Sequence, residues 1–222
     1  MRKRIARYVI YALLVVLLAP AGLMLLYKFV PPPITPLMLI RGGKREHQWV
    51  PLSRVAPAVV RSVMTAEDEA FCMHSGFDAN ALEKAWDRYL QDDDGKTLRG
   101  GSTISQQTAK NVFLWPDRSW LRKGLEAWLT VYLEALWDKK RIIEVYLNVV
   151  EWGPGVYGIE AAARHHFHKS ANTVTQREAA LLASVLPSPL KWSPSKPGPY
   201  VQARSDIIAG RAARLGPLAN CL

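Results

Sequence analysis

The chain has 222 residues, 49% of them apolar and 22% charged, with eight Trp and two Cys. That supports one ordinary domain with a real core plus an appendage, and it excludes disorder for most of the chain. Two cysteines exclude a disulfide framework and a four-cysteine zinc site. The formal charge is +10, yet residues 1–30 hold five bases and no acid, while the other 192 carry 24 bases against 19 acids. With only a modest excess of charge on the larger part, a nucleic-acid binder ranks last among the readings.

Residues 8–27 read YVIYALLVVLLAPAGLMLLY, without Asp, Glu, Lys, Arg or His. As a helix, twenty residues cover about 30 Å, the thickness of a bilayer's hydrocarbon core. Arg2, Lys3, Arg4 and Arg7 precede the run and only Lys28 follows closely. That asymmetry puts the N-terminus in the cytoplasm and the rest of the chain across the membrane. A cleaved signal peptide is the competing reading, with small residues at Ala19-Pro20-Ala21. The apolar run continues past them through Leu26, which favours an uncleaved anchor. The expected organisation is a basic tail (1–7), a transmembrane anchor (8–30), a stiff Pro-rich linker (31–50) and an exported domain (51–222).

Beyond the linker the periodicity is helical. Leu82, Ala85, Trp86 and Tyr89 share one face, and Leu121, Leu125, Trp128, Tyr132 and Leu136 share another. Ile142, Ile143, Tyr146 and Leu147 mark a third. Thr175-Gln-Arg-Glu178 is a capping box, and its helix should stop before Pro187. Ile207, Ile208 and Ala212 lie on a last helix ended by Gly216-Pro217. No stretch alternates long enough for a strand, so the expected fold class is mainly α.

Four islands break this pattern. In Glu67-Asp68-Glu69-Ala70-Phe71-Cys72-Met73-His74-Ser75-Gly76, three acids end an apolar helix, where the dipole disfavours negative charge. They are either a solvated turn or carboxylates facing a cation. Gly100-Gly101-Ser102-Thr103-Ile104-Ser105-Gln106-Gln107, followed by Lys110 and Asn111, is a loop feeding a capped helix. Its N-terminus is a natural seat for an anion such as a phosphate, although the loop lacks P-loop order. Arg122 and Glu126 share a helix face, as a surface ion pair or as cleft residues. The fourth island runs from Lys139 through Glu144 and Asn148 to Gly153, Gly155, Gly158 and Ala162, and its glycines imply tight backbone packing. His165, His166 and His168 offer no clear tetrahedral site and read as a solvated face. Nothing in the sequence shows whether Cys72 and Cys221 meet.

In this order the four islands resemble the glycosyltransferase domain of bacterial peptidoglycan polymerases, glycosyltransferase family 51. Glu67–Gly76 is similar to EDxxFxxHxG, and Gly100–Asn111 to GGSTITQQxxKN with Ser105 for Thr. Arg122–Glu126 matches RKxxE, and Lys139–Asn148 is similar to KxxILExYLN with Ile143 for Leu. The resemblance runs from about Leu52 to Ser193. Bifunctional relatives add a transpeptidase domain carrying SxxK, SxN and KTG in that order. Here Ser188-Pro-Leu-Lys191 and Ser193-Pro-Ser-Lys196 match SxxK, but their prolines disfavour an active-site helix, and KTG is absent. The expectation is therefore the monofunctional branch, the biosynthetic peptidoglycan transglycosylases.

The resemblance implies a lysozyme-like fold, mainly α, with a second lobe resting on the membrane. It implies lipid II and the growing lipid-linked glycan as substrates, joined by inverting transfer with release of undecaprenyl pyrophosphate. Glu67 would be the base and Glu126 the second essential carboxylate, either holding phosphate-binding groups or assisting the leaving group. Lys110, Arg122 and Lys123 would receive the pyrophosphate. Asp68, Phe71, His74, Ser102, Thr103, Gln106, Gln107 and Asn111 would line the subsites, and Glu144 would brace the cleft. No metal ligands and no required cofactor are expected, although divalent cations stimulate some relatives. Division or elongation proteins are candidate partners, nucleic acid is not, and the expected place is the inner membrane with the catalytic domain outside. Val112–Pro116, Trp120 and Leu121, beside Asp117, Arg118 and Lys123, suit either a buried core or an interfacial lobe. Two other classes remain as rivals: a lysozyme-like muramidase or lytic transglycosylase, and a non-catalytic membrane-anchored scaffold.

Overall fold

Helix α1 (Arg2–Phe29) carries the whole uncharged run, with Pro20 inside it. The computed structural model describes residues 2–91, 100–117 and 119–222, apart from the side chains at 2, 3, 6, 9, 12–14, 17, 88, 91 and 217. Among the described residues no helix is long and apolar enough to cross a membrane. The run expected to do so includes residues 9, 12–14 and 17, which lie outside the described side chains.

The chain continues through α2 (Pro36–Arg41), β1 (Glu46–His47), α3 (Pro57–Glu67), α4 (Ala79–Gln91), α5 (Ile104–Phe113) and α6 (Trp120–Leu136). Then come α7 (Lys139–Val149), β2 (Glu151–Gly153), β3 (Val156–Tyr157), α8 (Ile159–Phe167), α9 (Gln176–Val185) and α10 (Pro199–Ala212). The fold is mainly α, as the periodicity implies. The strands are too short to leave an alternating pattern. They form one sheet in the order β1-β3-β2, with β1 parallel and β2 antiparallel to β3.

Two helical groups share one core. Helices α3, α9 and α10 pack on one another, while α5 packs against α6 and α7. Ile142, Ile143, Tyr146 and Leu147 are fully buried between them. Thr175 and Glu178 close the expected capping box of α9, which ends at Val185, before Pro187. Both SxxK matches fall in the turns after α9 rather than in a helix.

Two stripes depart from their expected place. On α4, Ala85 is buried, but Leu82, Trp86 and Leu90 face solvent. Periodicity identifies an apolar face without saying what covers it. On α6 the deepest residues are Arg122, Glu126, Leu129, Thr130 and Leu133, a face beginning one position past Leu121. That rotation turns polar side chains inward at the helix start.

The C-terminal end of α1 is fastened to the domain through its carbonyls, which lack partners within a helix. Arg141 donates to Tyr27 O at 3.0 and 2.6 Å and to Val30 O at 3.0 Å, and the Trp137 indole N–H donates to Met24 O at 2.7 Å. Glu144 holds Arg141 by an ion pair and accepts Leu52 N–H at 2.7 Å. Asn148 exchanges two hydrogen bonds with the backbone of Val50, each 2.9 Å. Much of the fourth island is therefore a socket for residues 24–52.

Cys72 and Cys221 form a disulfide with Cα atoms 5.5 Å apart, joining the loop after α3 to the chain's end. Gly158 has φ +81°, and a Cβ there would lie 2.6 Å from Asn148 O. Gly158→Ala should therefore destabilise the fold by about 2–4 kcal/mol. Thermal unfolding should show a melting point lower by several degrees, and an unchanged melting point would contradict the packing described.

Candidate active site

Glu67 is the last residue of α3, and Asp68 is its C-cap. Of the two readings open for this acidic turn, the solvated one is not what forms, because Asp68 is buried and Glu67 half-buried. Asp68 Oδ2 accepts Ile104 N–H at 2.9 Å, and Asp68 Oδ1 lies 2.9 Å from His74 Nε2. The anion seat at the start of α5, assigned from sequence to a phosphate, thus holds the protein's own carboxylate. Thr103 and Gln106 form the capping box of α5, and Thr103 Oγ1 donates to Gly76 O at 2.6 Å. These bonds lock the 68–76 loop against α5.

That clamp sets Glu67 beside the second turn of α5. Gln107 Nε2 donates to Glu67 Oε2 at 2.8 Å, and Tyr146 O–H donates to Gln107 Oε1 at 3.2 Å. Tyr146 fixes which way the amide points, so Gln107 presents its N–H₂ to the carboxylate. Burial and the charges of Glu67 and Asp68 hold the phenol well above its ordinary pKa, so it stays a donor.

Burial raises the Glu67 pKa, while the Gln107 hydrogen bond and the charges of Arg204 and Lys110 pull it back. Asp68 adds a smaller upward push. Lys110, one turn beyond Gln107, is lowered by burial first, raised by Glu126 and Glu67, and lowered by Arg122 and Lys123. Base and ammonium therefore act on each other, each shifted towards neutrality.

Two cavities border this cluster. One, about 500 Å³, is bordered by Glu67, Asp68, Asp78, Ser102 and Thr103. The other, about 610 Å³, is bordered by Gln107, Lys110, Asn111, Arg122, Arg41 and Glu151. Gln107 belongs to the second and touches Glu67 in the first.

The Arg122–Glu126 pair is buried, unlike the surface pair that its spacing also allowed. Glu126 is 2% exposed at the residue level and binds Arg122 Nη1 through Oε2 and Lys123 Nζ through Oε1. With both oxygens on cations, it holds those cations rather than presenting a proton. Lys123 also donates to Ser102 Oγ at 3.2 Å. Arg122 Nε is buried without a partner among the described residues.

Phe71 and Gln106, expected to line subsites, are enclosed in the scaffold, and Glu144 braces as expected. Phe71 is fully buried, edge-on to His74 and under the Lys139 ammonium at 4.5 Å. Gln106 spends its carbonyl on Thr103 N–H at 3.0 Å. Glu144 borders neither cavity and braces Arg141 and Leu52. His74 too is largely enclosed, against Asp68, with Nδ1 unpartnered among the described residues.

Two other residues take part without a role assigned from sequence, although Tyr146 stands in the fourth motif. Tyr146 sits in a stripe that reads as core, and Arg204 lies on α10 outside every island. Asp68, His74 and Asp78 bring possible ligand atoms within 4.8 Å of one another. Asp68 already serves Ile104 and His74, and Asp78 Oδ1 accepts Ala81 N–H at 2.9 Å. Of the histidine run, His165 lies 3.1 Å from Glu46 Oε2 and His166 lies 3.4 Å from Trp152 O.

The site thus sets a carboxylate at one cavity and fixed cations at the next. The chain belongs to the Transglycosylase family, whose sequence model matches residues 35–213. A protein of Caulobacter vibrioides named biosynthetic peptidoglycan transglycosylase is 52% identical, over 99% of this chain and 97% of its own length. Proteins of the same name from Rhodospirillum centenum and Bdellovibrio bacteriovorus are 49% and 46% identical. Those alignments cover 95% and 96% of this chain, and 90% and 88% of the relatives.

The titration directions give a test. Transfer should need Glu67 ionised and Lys110 protonated, so the rate should rise along an acid limb above the ordinary carboxylate range and fall along a basic limb below the ordinary lysine range. Gln107 stabilises the charged form of Glu67, so Gln107→Ala raises that pKa further. The acid limb of the pH–rate profile should move to higher pH, and a limb that stays in place would show that the bond does not tune the base.

Proposed function

We propose that this peptidoglycan glycosyltransferase polymerises lipid II at the outer face of the bacterial inner membrane. The growing lipid-linked glycan is the donor and lipid II the acceptor. The acceptor's 4-hydroxyl attacks the donor's anomeric carbon. A new C–O bond forms as the bond to the pyrophosphate oxygen breaks, and the α linkage becomes β. Glu67 takes the hydroxyl proton. The leaving undecaprenyl pyrophosphate carries the electron pair and growing negative charge towards Lys110 and Arg122, with Lys123 beside them. Glu126 positions two of those cations. Ser102, Thr103 and Asp68 border the cavity for the acceptor, and Asn111 lies with Lys110 in the other.

The observation that carries this reading is Gln107, which bonds Glu67 and borders the cavity of Lys110 and Arg122. A muramidase releasing a neutral sugar would have no use for that cationic wall. Proton and charge both find protein groups, so the step as written calls for no cofactor. A divalent cation would stimulate by adding positive charge at the pyrophosphate.

The polyprenyl chain of the substrate stays in the bilayer, so the site must open at the membrane surface. Residues 8–30 are the single-pass anchor, 1–7 the cytoplasmic tail, 31–50 the link and 51–222 the exported, lysozyme-like domain. Trp120 (89% exposed) and Leu121 (71%) turn outward, while Val112 and Leu114 are core. The Trp120 end of α6 is the lobe that rests on the bilayer, and Arg118 beside it lies outside the described residues. The disulfide suits an oxidising compartment. Division or elongation proteins are the partners this placement favours.

Labelled lipid II incubated with purified protein tests the reading. Wild type should yield glycan polymer, and Glu67→Gln should lose 10²–10⁴-fold in rate, roughly the worth of a positioned base. The variant should melt no lower than wild type, because a neutral amide removes the cost of burying a charge. Cleavage of finished glycan in place of polymerisation would favour a muramidase, and undiminished synthesis by Glu67→Gln would remove the base.

A further inference from the structure

The cavity around Lys110 has a cation from an element outside every motif. Arg41 ends α2, the short helix directly after the proline stretch. That helix is fixed in place: Thr35 caps it, accepting Met38 N–H at 3.3 Å, and Met38 is buried. Its packing partner is α5, the helix that carries Gln107 and Lys110. Arg41 borders the same cavity as Lys110, Asn111 and Arg122.

Its counter-ion is unusual. Glu151, the first residue of β2, is almost wholly buried, and its Oε2 lies 3.5 Å from Arg41 Nη2. Its other oxygen, Oε1, is buried, and the Tyr157 phenol lies against the same carboxylate. Burial, the charge of Glu151 and a hydrogen bond with it push the Tyr157 phenol up to about 12. A buried carboxylate is costly unless a cation offsets its charge, and Arg41 is the cation it faces.

Two other cations of the site are more fully engaged. Arg122 and Lys123 both bind Glu126. Arg41 has one long contact, a side chain 42% exposed, and five N–H donors in a planar fork. Such a fork matches phosphate oxygens two at a time.

We propose that Arg41 is a further diphosphate-binding residue of this site, contributed by the segment between the proline stretch and β1 and positioned by Glu151. This rests on the reading of the Lys110 cavity as the pyrophosphate site. The segment expected to be a linker then serves the chemistry as well: it carries a binding group to the membrane side of the groove. Glu151 acts through Arg41. Its carboxylate keeps the guanidinium at the cavity wall, and the contact is long enough to leave donors for the ligand.

Farnesyl pyrophosphate is the probe, bound to the full-length protein in detergent and followed by calorimetry, beside lipid II kinetics. Arg41→Gln should weaken farnesyl pyrophosphate about tenfold or more and raise KM for lipid II, with a lower melting point because Glu151 loses its counter-ion. Arg41→Lys should recover part of the loss, since it keeps charge without the fork. Glu151→Gln should weaken the probe in the same direction but less, because Arg41 remains. Lys110→Gln is the reference. If Lys110→Gln loses affinity while Arg41→Gln binds like wild type, the proposal falls and the site stands. If both bind like wild type, this cavity is not the diphosphate site. A lower kcat for Arg41→Gln with probe affinity intact would make Arg41 structural and also overturn the proposal.

Discussion

Glu67 and Lys110 feel each other's charge, and among the described residues they do not close into an ion pair. Burial works against both charges, and neither is given a full counter-ion to offset it. A closed pair would be more comfortable and useless, because each would be committed to the other. Held apart by Gln107, the acid keeps an oxygen for a proton and the ammonium keeps its donors for an anion. The rest of the site maintains that separation.

The means are mostly helix ends. Asp68 satisfies the start of α5 and so fixes the loop that follows Glu67. Arg141 satisfies the end of α1 and ties the N-terminal helix to α7, which also carries Tyr146, the residue that orients Gln107. Glu126, buried in α6, gathers Arg122 and Lys123. Charged side chains that look interchangeable in the motifs thus divide into two groups. One satisfies backbone or other charges and is spent. The other is left facing a cavity.

That division explains what the sequence could and could not reveal. The helical class follows from periodicity, and the end of α9 from its capping box and Pro187. The meeting of Glu67, Gln107, Lys110 and Arg122 is implied by the family resemblance that the motifs carry. Phe71, Gln106 and Glu144 carry the same motif signal as the site residues, yet they face the core, a cap and the α1 socket. A side chain's partner is a tertiary fact that spacing does not encode. Trp86 and Leu82 show the same limit for apolar stripes. The disulfide joins residues 149 positions apart, beyond any local pattern. Arg41 and Glu151 belong to no helix stripe, and only their shared cavity draws attention to them.

The central claim is that the acid and the ammonium are electrostatically coupled across the groove. Carbon-13 NMR titration of the Glu67 carboxyl, in wild type and in Lys110→Gln, tests it most directly. The Lys110 charge favours the ionised acid, so a Glu67 pKa already above the ordinary carboxylate range should rise further when that charge is removed. An ordinary value that does not respond to the substitution would contradict the account.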